Sequence, residues 1–157
     1  MATPKFILEL RAKIGHDLLF LTGIAGVVLD DDERILLVRR ADDGRWSLVS
    51  GILEPGEQPA VGLAREIQEE TAVRVTVERL VSMQTLSPHT YPNGDQVQYL
   101  DLTFRCRYLS GEAQVNDDES LEVAWFPLTA LPDLSAREQA SITNALSRNP
   151  TPLFATD

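Results

Sequence analysis

Cysteine is the scarcest functional residue in this sequence. Cys106 is alone among 157 residues, which excludes an intramolecular disulfide framework. It falls on the apolar side of an alternating run with Leu102, Phe104 and Tyr108, so we expect a buried structural thiol. A single unpaired cysteine is typical of a reducing compartment, and we expect a cytoplasmic protein.

Positive charge and long apolar runs are also in short supply. Fourteen Lys and Arg residues face 24 Asp and Glu residues, which leaves a net charge of −10. A surface of that sign repels polyanions and argues against a nucleic-acid duplex as partner. The longest apolar run, residues 18–29, is interrupted by Thr22, Gly23 and Gly26 and is too short to span a bilayer, so we expect no membrane partner.

The composition that remains is that of an ordinary globular protein. Hydrophobic residues make up 43% and charged residues 24% of a chain whose length suits one domain. We therefore expect a single domain over residues 1–157. Residues 1–15 form a short helical lead-in, because Phe6, Ile7, Leu10 and Ile14 recur at helical spacing and Gly15 can end the helix.

Strand and helix patterns fill the rest of the chain without repeats. Runs rich in Val, Ile and Leu predict strands over residues 24–29, 34–39, 46–52, 73–86, 97–108 and 122–126. Helices are predicted from Pro59 to Thr71, and from a capping-box pair, Ser135 and Glu138, to about Ser147. This order predicts a mixed sheet with helices packed on its faces.

The helix predicted at residues 59–71 carries three glutamates close together on one face. Glu66 lies three residues before Glu69 and four before Glu70, and each such pair costs about 0.2–0.5 kcal/mol. Arg65 is the sole basic residue within that stretch of sequence. Two interpretations are open at this point: a solvated acidic face, or hard oxygen ligands gathered for Mg²⁺ or Mn²⁺.

The spacing of these charges resembles the signature box of the Nudix hydrolases. The sequence reads Gly51, five residues, Glu57, seven residues, then Arg65-Glu66-Ile67-x-Glu69-Glu70-x-Ala72-Val73. The resemblance implies an α+β fold, an α/β/α sandwich around a mixed β-sheet. It also implies hydrolysis of the diphosphate linkage of a nucleoside diphosphate derivative.

Two positions depart from the family pattern. Ala72 stands where the family has a glycine, and Val49-Ser50 replace the usual Pro-Gly ahead of the box. A Cβ in a left-handed turn costs about 1–2 kcal/mol, so Ala72 puts the turn at the end of the helix in question. No carboxylate is affected by either departure.

The resemblance assigns roles residue by residue. Glu66, Glu69, Glu70 and the main-chain carbonyl of Ser50 would hold Mg²⁺ or Mn²⁺, with Glu57 assisting from the loop. Arg65 would orient the carboxylates, and the general base would be Glu66, Glu69 or Glu119. Candidate substrate contacts are Arg39, His89 and Tyr91, although Glu119 and these three also fit ordinary solvated positions.

The choice of substrate is left open by the sequence. Pro88, 15 positions beyond Val73, is similar to a proline found in many ADP-ribose pyrophosphatases, which favours ADP-ribose or a nucleotide sugar. The alternatives are an (oxidised) nucleoside triphosphate pyrophosphohydrolase and a non-catalytic, nucleotide-sensing Nudix module. The exposed apolar stripe expected on the lead-in helix predicts a homodimer, as this family often forms.

Overall fold

A computed structural model describes residues 3–157 of the chain. The helices are α1 (Lys5–Ile14), α2 (Pro59–Thr71) and α3 (Ala136–Leu146), and a 3₁₀ turn covers Leu128–Ala130. The strands are β1 (Leu19–Leu29), β2 (Arg34–Arg40), β3 (Trp46–Ile52), β4 (Arg74–Thr85), β5 (His89–Thr90), β6 (Gln96–Ser110) and β7 (Ser120–Pro127). The prediction missed the short strand β5 and began β1 five residues late.

The strands form one mixed sheet. Its order across the described residues is β4-β6-β1-β3-β2-β7, and β5 is added against β6. Strands β1 and β6 run parallel over a continuous register from Leu19 with Val97 to Leu29 with Arg107. The other pairings are antiparallel.

Helices cover both faces of this sheet. Successive residues of a strand point to opposite sides, so Ile24 and Val28 of β1 pack with Leu63 and Ile67 of α2. Val27 and Leu29 pack on the other face with Ile142 and Ala145 of α3. The predicted α/β/α sandwich around a mixed sheet is therefore confirmed.

Cys106 lies in the core on the α2 side of the sheet, fully buried. Burial raises the pKa of its thiol to about 12, so the thiol is protonated at neutral pH. The prediction of a structural cysteine is confirmed. The capping box is confirmed as well, because Glu138 N donates to the Ser135 hydroxyl and Ser135 N donates to the Glu138 carboxylate.

The lead-in helix packs on the sheet through part of its apolar stripe. Ile7 is buried with Leu21 of β1 and Val97 of β6. Leu10 is 37% exposed and Leu8 is 57% exposed. Within residues 3–157, no helix is long and apolar enough to cross a membrane.

Helix α2 ends in a left-handed turn although Ala72 replaces glycine there. Ala72 has φ 59° and ψ 10°, and its N–H donates to Gln68 O. The turn is held by the segment that follows β6, because Gln114 N donates to Thr71 O at 3.1 Å and Asn116 N donates to Glu70 O at 3.1 Å. These tertiary hydrogen bonds offset the strain of the Cβ.

Replacing Ala72 by Gly should therefore stabilise the protein. Relief of the left-handed strain outweighs the added chain entropy of glycine, for a net gain of about 0.5–1 kcal/mol. Urea unfolding measures the change. Ala64→Gly, in the interior of the same helix, is the matched control and should cost about 1 kcal/mol. If both substitutions destabilise equally, the turn is not strained.

Candidate active site

The contact between Gly51 and Glu66 fixes the centre of the site. Gly51 of β3 pairs with Ile24 of β1, on the face of the sheet covered by α2. A Cβ built on Gly51 would lie 2.3 Å from Glu66 Cδ and 2.6 Å from Glu66 Cγ. The side chain of Glu66 thus lies against the backbone of Gly51, at a distance that a glycine alone allows.

One guanidinium joins three carboxylates beside this contact. Arg65 Nε and Nη2 donate to the two carboxylate oxygens of Glu57 at 2.8 and 3.0 Å. Its Nη1 lies 3.0 Å from Glu66 Oε1 and 3.1 Å from Glu69 Oε2. The hydrogen bonds from Arg65 hold the pKa of Glu57 below its usual range. The arrangement suits the orienting role expected for Arg65.

Gly62, the fourth residue of α2, leaves room for the ion pair between Glu57 and Arg65. A Cβ at Gly62 would lie 2.9 Å from Glu57 Oε2 and 3.0 Å from Leu53 Cδ1. The helix therefore accepts the roughly 1 kcal/mol penalty of an interior glycine, because a side chain would displace Glu57 from Arg65.

Glu66 and Glu70 are buried. The energetic cost of removing their charges from water therefore adds to the like-charge repulsion along α2. Their exposed fractions are 2% and 6%. Burial is the main cause that raises the pKa of each to about 7, and Arg65 opposes the shift at Glu66. Desolvation therefore outweighs the like-charge repulsion along the helix. The solvated acidic face considered above is wrong for these two residues.

Ser120, at the start of β7, is the protein partner of Glu70. Its hydroxyl donates to Glu70 Oε1 at 2.5 Å. The motif gave no signal for this serine, because Ser120 lies fifty positions further along the chain. A carboxylate has more acceptor sites than this one hydrogen bond fills.

The segment after β6 delivers Glu119 to the site. Asn116 Nδ2 donates to Glu69 O at 2.9 Å, in addition to the bond from its backbone N–H to Glu70 O. These bonds satisfy the last carbonyls of α2. As a result Glu119 lines a cavity of about 460 Å³ together with Ser50 and Glu70.

Glu119 also lines a second and larger cavity, of about 530 Å³. Gly51, Glu66 and Arg40 contribute to the same walls. Arg40 and Glu119 belong to both cavities, so the two adjoin. The structure thus gathers Ser50, Glu66, Glu70 and Glu119 around one continuous surface.

Arg40, rather than Arg39, is the arginine of β2 that lies on this surface. Leu36 and Val38 of β2 pack toward α2, so the even-numbered Arg40 points the same way. Arg39 pairs instead with Glu122 at 2.5 Å and with Gly44 O at 3.2 Å. The alternation of side chains along β2 distinguishes the two arginines, and the pairing of β2 with β7 shifts register between them. Arg40 is paired with Asp42 through two hydrogen bonds.

The two aromatic candidates occupy different positions. Tyr91 lines the larger cavity, and its hydroxyl lies 3.2 Å from that of Tyr99 in β6. His89 stacks edge-on against Tyr91 with ring centroids 4.8 Å apart. The walls of the two cavities described here do not include His89.

The carboxylates match the chemistry that a divalent cation requires. Glu66 and Glu70 are buried hard-oxygen donors with unfilled acceptor sites, which Mg²⁺ and Mn²⁺ prefer. Among residues 3–157, no group of three or more acidic, His or Cys side chains is arranged so that it could hold a metal ion. Arg65 takes up Glu57, Glu66 and Glu69 in this arrangement.

Comparison with known proteins agrees with the geometry. Residues 20–146 match the family model of the NUDIX domain. The chain belongs to the Nudix family. Enzymes of this family generally use divalent metal ions and act on pyrophosphate bonds.

Relatives of this Nudix chain carry several activities. It is 41% identical to a MutT-like protein of Streptomyces ambofaciens, covering 65% of this chain and 60% of the relative. It is 30% identical to an 8-oxo-dGDP phosphatase of Homo sapiens, covering 69% of this chain and 33% of the relative. The matched part thus amounts to less than two thirds of either relative.

A solved structure supports the fold. The structure of an ADP-ribose pyrophosphatase from Streptococcus suis superposes with a TM-score of 0.65 at 23% identity. The superposition covers 84% of this chain and 96% of that one.

The burial of Glu66 and Glu70 predicts how stability depends on pH. Both carboxyl groups hold their proton more firmly in the folded state, so this stability is full below pH 4.5 and lost as pH rises through about 7. Without metal, the melting temperature should fall between pH 5 and pH 8. The loss amounts to a few kcal/mol per carboxylate, on the order of 1.4 kcal/mol per pKa unit.

A matched variant isolates this effect. Glu70→Gln keeps an acceptor for Ser120 and removes one titrating group, so its pH dependence should be flatter than that of the wild type. Added Mg²⁺ should restore the melting temperature of the wild type at pH 8, because metal binding favours ionised carboxylates. If the melting temperatures of wild type and variant depend on pH in the same way, Glu70 is not one of the groups that cause the loss of stability.

Proposed function

We propose that this Nudix protein is a metal-dependent hydrolase that cleaves the diphosphate linkage of a nucleoside diphosphate derivative. The observation that carries the proposal is the convergence of Glu66, Glu70, Glu119 and Arg40 on the walls of two adjoining cavities. ADP-ribose and nucleotide sugars are the first candidates. Pro88 favours testing ADP-ribose first, and the protein of similar fold from Streptococcus suis is an ADP-ribose pyrophosphatase.

Glu66, Glu69, Glu70 and the Ser50 carbonyl would hold Mg²⁺ or Mn²⁺. A bound divalent cation supplies neutralisation of the diphosphate oxygens and of the charge that develops during transfer. Arg65 keeps Glu57, Glu66 and Glu69 within reach of one another. Arg40 can bind a phosphate oxygen from the cavity wall.

Glu119 is the general base that the geometry supports best. It lies on the walls of both cavities, together with Glu70 in the smaller one and with Glu66 in the larger one. In the reaction, the oxygen of a water forms a bond to phosphorus while the bridging P–O bond breaks. The carboxylate takes the proton of that water, and the bridging oxygen leaves with the second phosphate.

A second candidate function also has an observation in its favour. The human relative is an 8-oxo-dGDP phosphatase, so an oxidised nucleotide belongs in the same substrate panel. A non-catalytic sensor of nucleotides would bind the panel without turnover. The complete set of carboxylates favours catalysis over such a sensor.

Location and assembly stay predictions. A cytoplasmic protein follows from the lone cysteine, and a homodimer from the exposed Leu8 and Leu10 of α1. Light scattering at micromolar concentration measures the assembly, and a monomer mass would contradict the dimer.

Removal of metal should abolish activity. We expect turnover of at least one diphosphate substrate with Mg²⁺ or Mn²⁺ and none in EDTA, measured by phosphate release after a coupled phosphatase. Glu70→Gln should lower kcat by orders of magnitude. At pH 8 without metal it should match or exceed wild-type stability, because a buried charge is gone. Glu112→Gln, at an exposed loop position, is the control. Full activity in EDTA would refute the proposal.

Glu119→Gln should lower kcat by about 10²–10⁴-fold and leave KM nearly unchanged, because a general base acts in the transition state. Asp118→Asn removes the same charge from the neighbouring position and serves as the control. If both variants lose activity equally, the loop acts through its charge and Glu119 is not the base.

A further inference from the structure

The N-terminal helix contributes to the wall of the larger cavity. The family match begins at residue 20, so α1 lies before it. Pro4, Ile7 and Arg11 nevertheless line the same cavity as Glu66 and Glu119. Residues that the family match does not reach therefore shape the space in which the substrate would lie.

This end of the cavity differs chemically from the carboxylate end. Ile7, Leu21 and Val97 are 6%, 7% and 3% exposed and provide an apolar surface. The rings of Tyr91 and Tyr99 border it. Burial raises the pKa of Tyr99, so its hydroxyl remains protonated at neutral pH. A flat ring with polar edges suits a wall that combines these apolar and aromatic side chains with the polar Asn93 and Asp95, which line the same cavity.

Arg11 connects α1 to the strand that carries Tyr99. Its side chain is 11% exposed. Its Nη1 donates to Gly15 O at 3.1 Å and to Asp17 O at 2.6 Å, and its Nη2 donates to Gln96 O at 2.7 Å. The last of these bonds joins the end of the helix to the first residue of β6.

The same cluster fixes the segment that carries Tyr91. Asp95 Oδ1 lies 3.6 Å from Arg11 Nε and 2.7 Å from His16 Nδ1. Tyr91 N donates to Asp95 O at 2.9 Å, and Asn93 Nδ2 donates to Asp95 Oδ2 at 2.9 Å. These contacts tie the tyrosine segment, residues 91–95, to α1.

We propose that α1 is the specificity element of this site, and that Arg11 is the positioning residue that holds its wall ready for the nucleobase of the substrate. The proposal rests on the proposed function, which assigns the diphosphate to the carboxylate end. Preorganisation of the tyrosine segment spares the ligand the entropy of ordering it. Stacking on aromatic rings contributes about 1–3 kcal/mol per base.

Five ligands that share ribose 5-phosphate and differ in the presence or identity of the base test the proposal. Isothermal titration calorimetry compares ribose 5-phosphate with the 5′-monophosphates of adenosine, guanosine, cytidine and uridine. The wild type should bind the best nucleotide at least about tenfold more tightly than ribose 5-phosphate. Arg11→Ala should lose most of that advantage and keep its affinity for ribose 5-phosphate within about twofold. Lys13→Ala, at an exposed position of the same helix, should behave as the wild type.

A second variant covers the case in which Arg11→Ala fails to fold. Tyr91 is 38% exposed, and Tyr91→Ala removes a ring without touching the contacts of Arg11. It should also reduce the preference for the nucleotide over ribose 5-phosphate. Equal losses for both ligands, or no preference in the wild type, would overturn the proposal.

Turnover distinguishes this proposal from the proposed function. If the protein hydrolyses diphosphates but shows no preference for a base, the role of α1 is wrong and the hydrolase stands. If it prefers nucleotides in a way that depends on Arg11 but cleaves no substrate of the panel with Mg²⁺, the proposed role of α1 is supported and the proposed hydrolase activity is refuted. In an active protein, Arg11→Ala should raise KM and leave kcat nearly unchanged.

Discussion

The burial of Glu66 against the backbone of Gly51 is the constraint on which the rest of the site depends. A carboxylate at this depth is costly to ionise. Arg65 offsets part of that cost and brings Glu57 and Glu69 to the same place. The glycines at positions 51 and 62 leave room for these groups, at a loss of local helix and strand stability. The site is therefore maintained by the surrounding sheet and not by the propensity of its own segments.

The motif and the fold class were predictable from the sequence, since both depend on local spacing. The spacing of the charged residues identifies the box. The alternation of side chains along each strand determines which strand residues face α2. Two other features depend on contacts between distant segments and could not be predicted. One is the burial of Glu70 beside Ser120, and the other is the hydrogen bonding of Asn116 to the end of α2. The alternation of side chains along β2 distinguishes Arg39 from Arg40.

Ala72 illustrates how a local rule yields to tertiary structure. Propensity disfavours alanine with positive φ, yet the segment after β6 supplies hydrogen bonds to the last carbonyls of α2. The same segment leads directly to Glu119. The end of the helix and the position of the proposed base are consequently stabilised by one set of contacts.

The parallel pairing of β1 with β6 has a consequence for how the protein folds. These strands are far apart in the chain, with Leu19 beside Val97 and Leu29 beside Arg107. Closing so long a loop is slow, because its entropy is lost before the contacts form. The hairpins of β1, β2 and β3 can form locally, whereas β6 must dock later. We therefore expect a nascent chain to form α2 early and to complete the larger cavity only after β6, which carries Tyr99, and the following segment with Glu119 have joined the sheet.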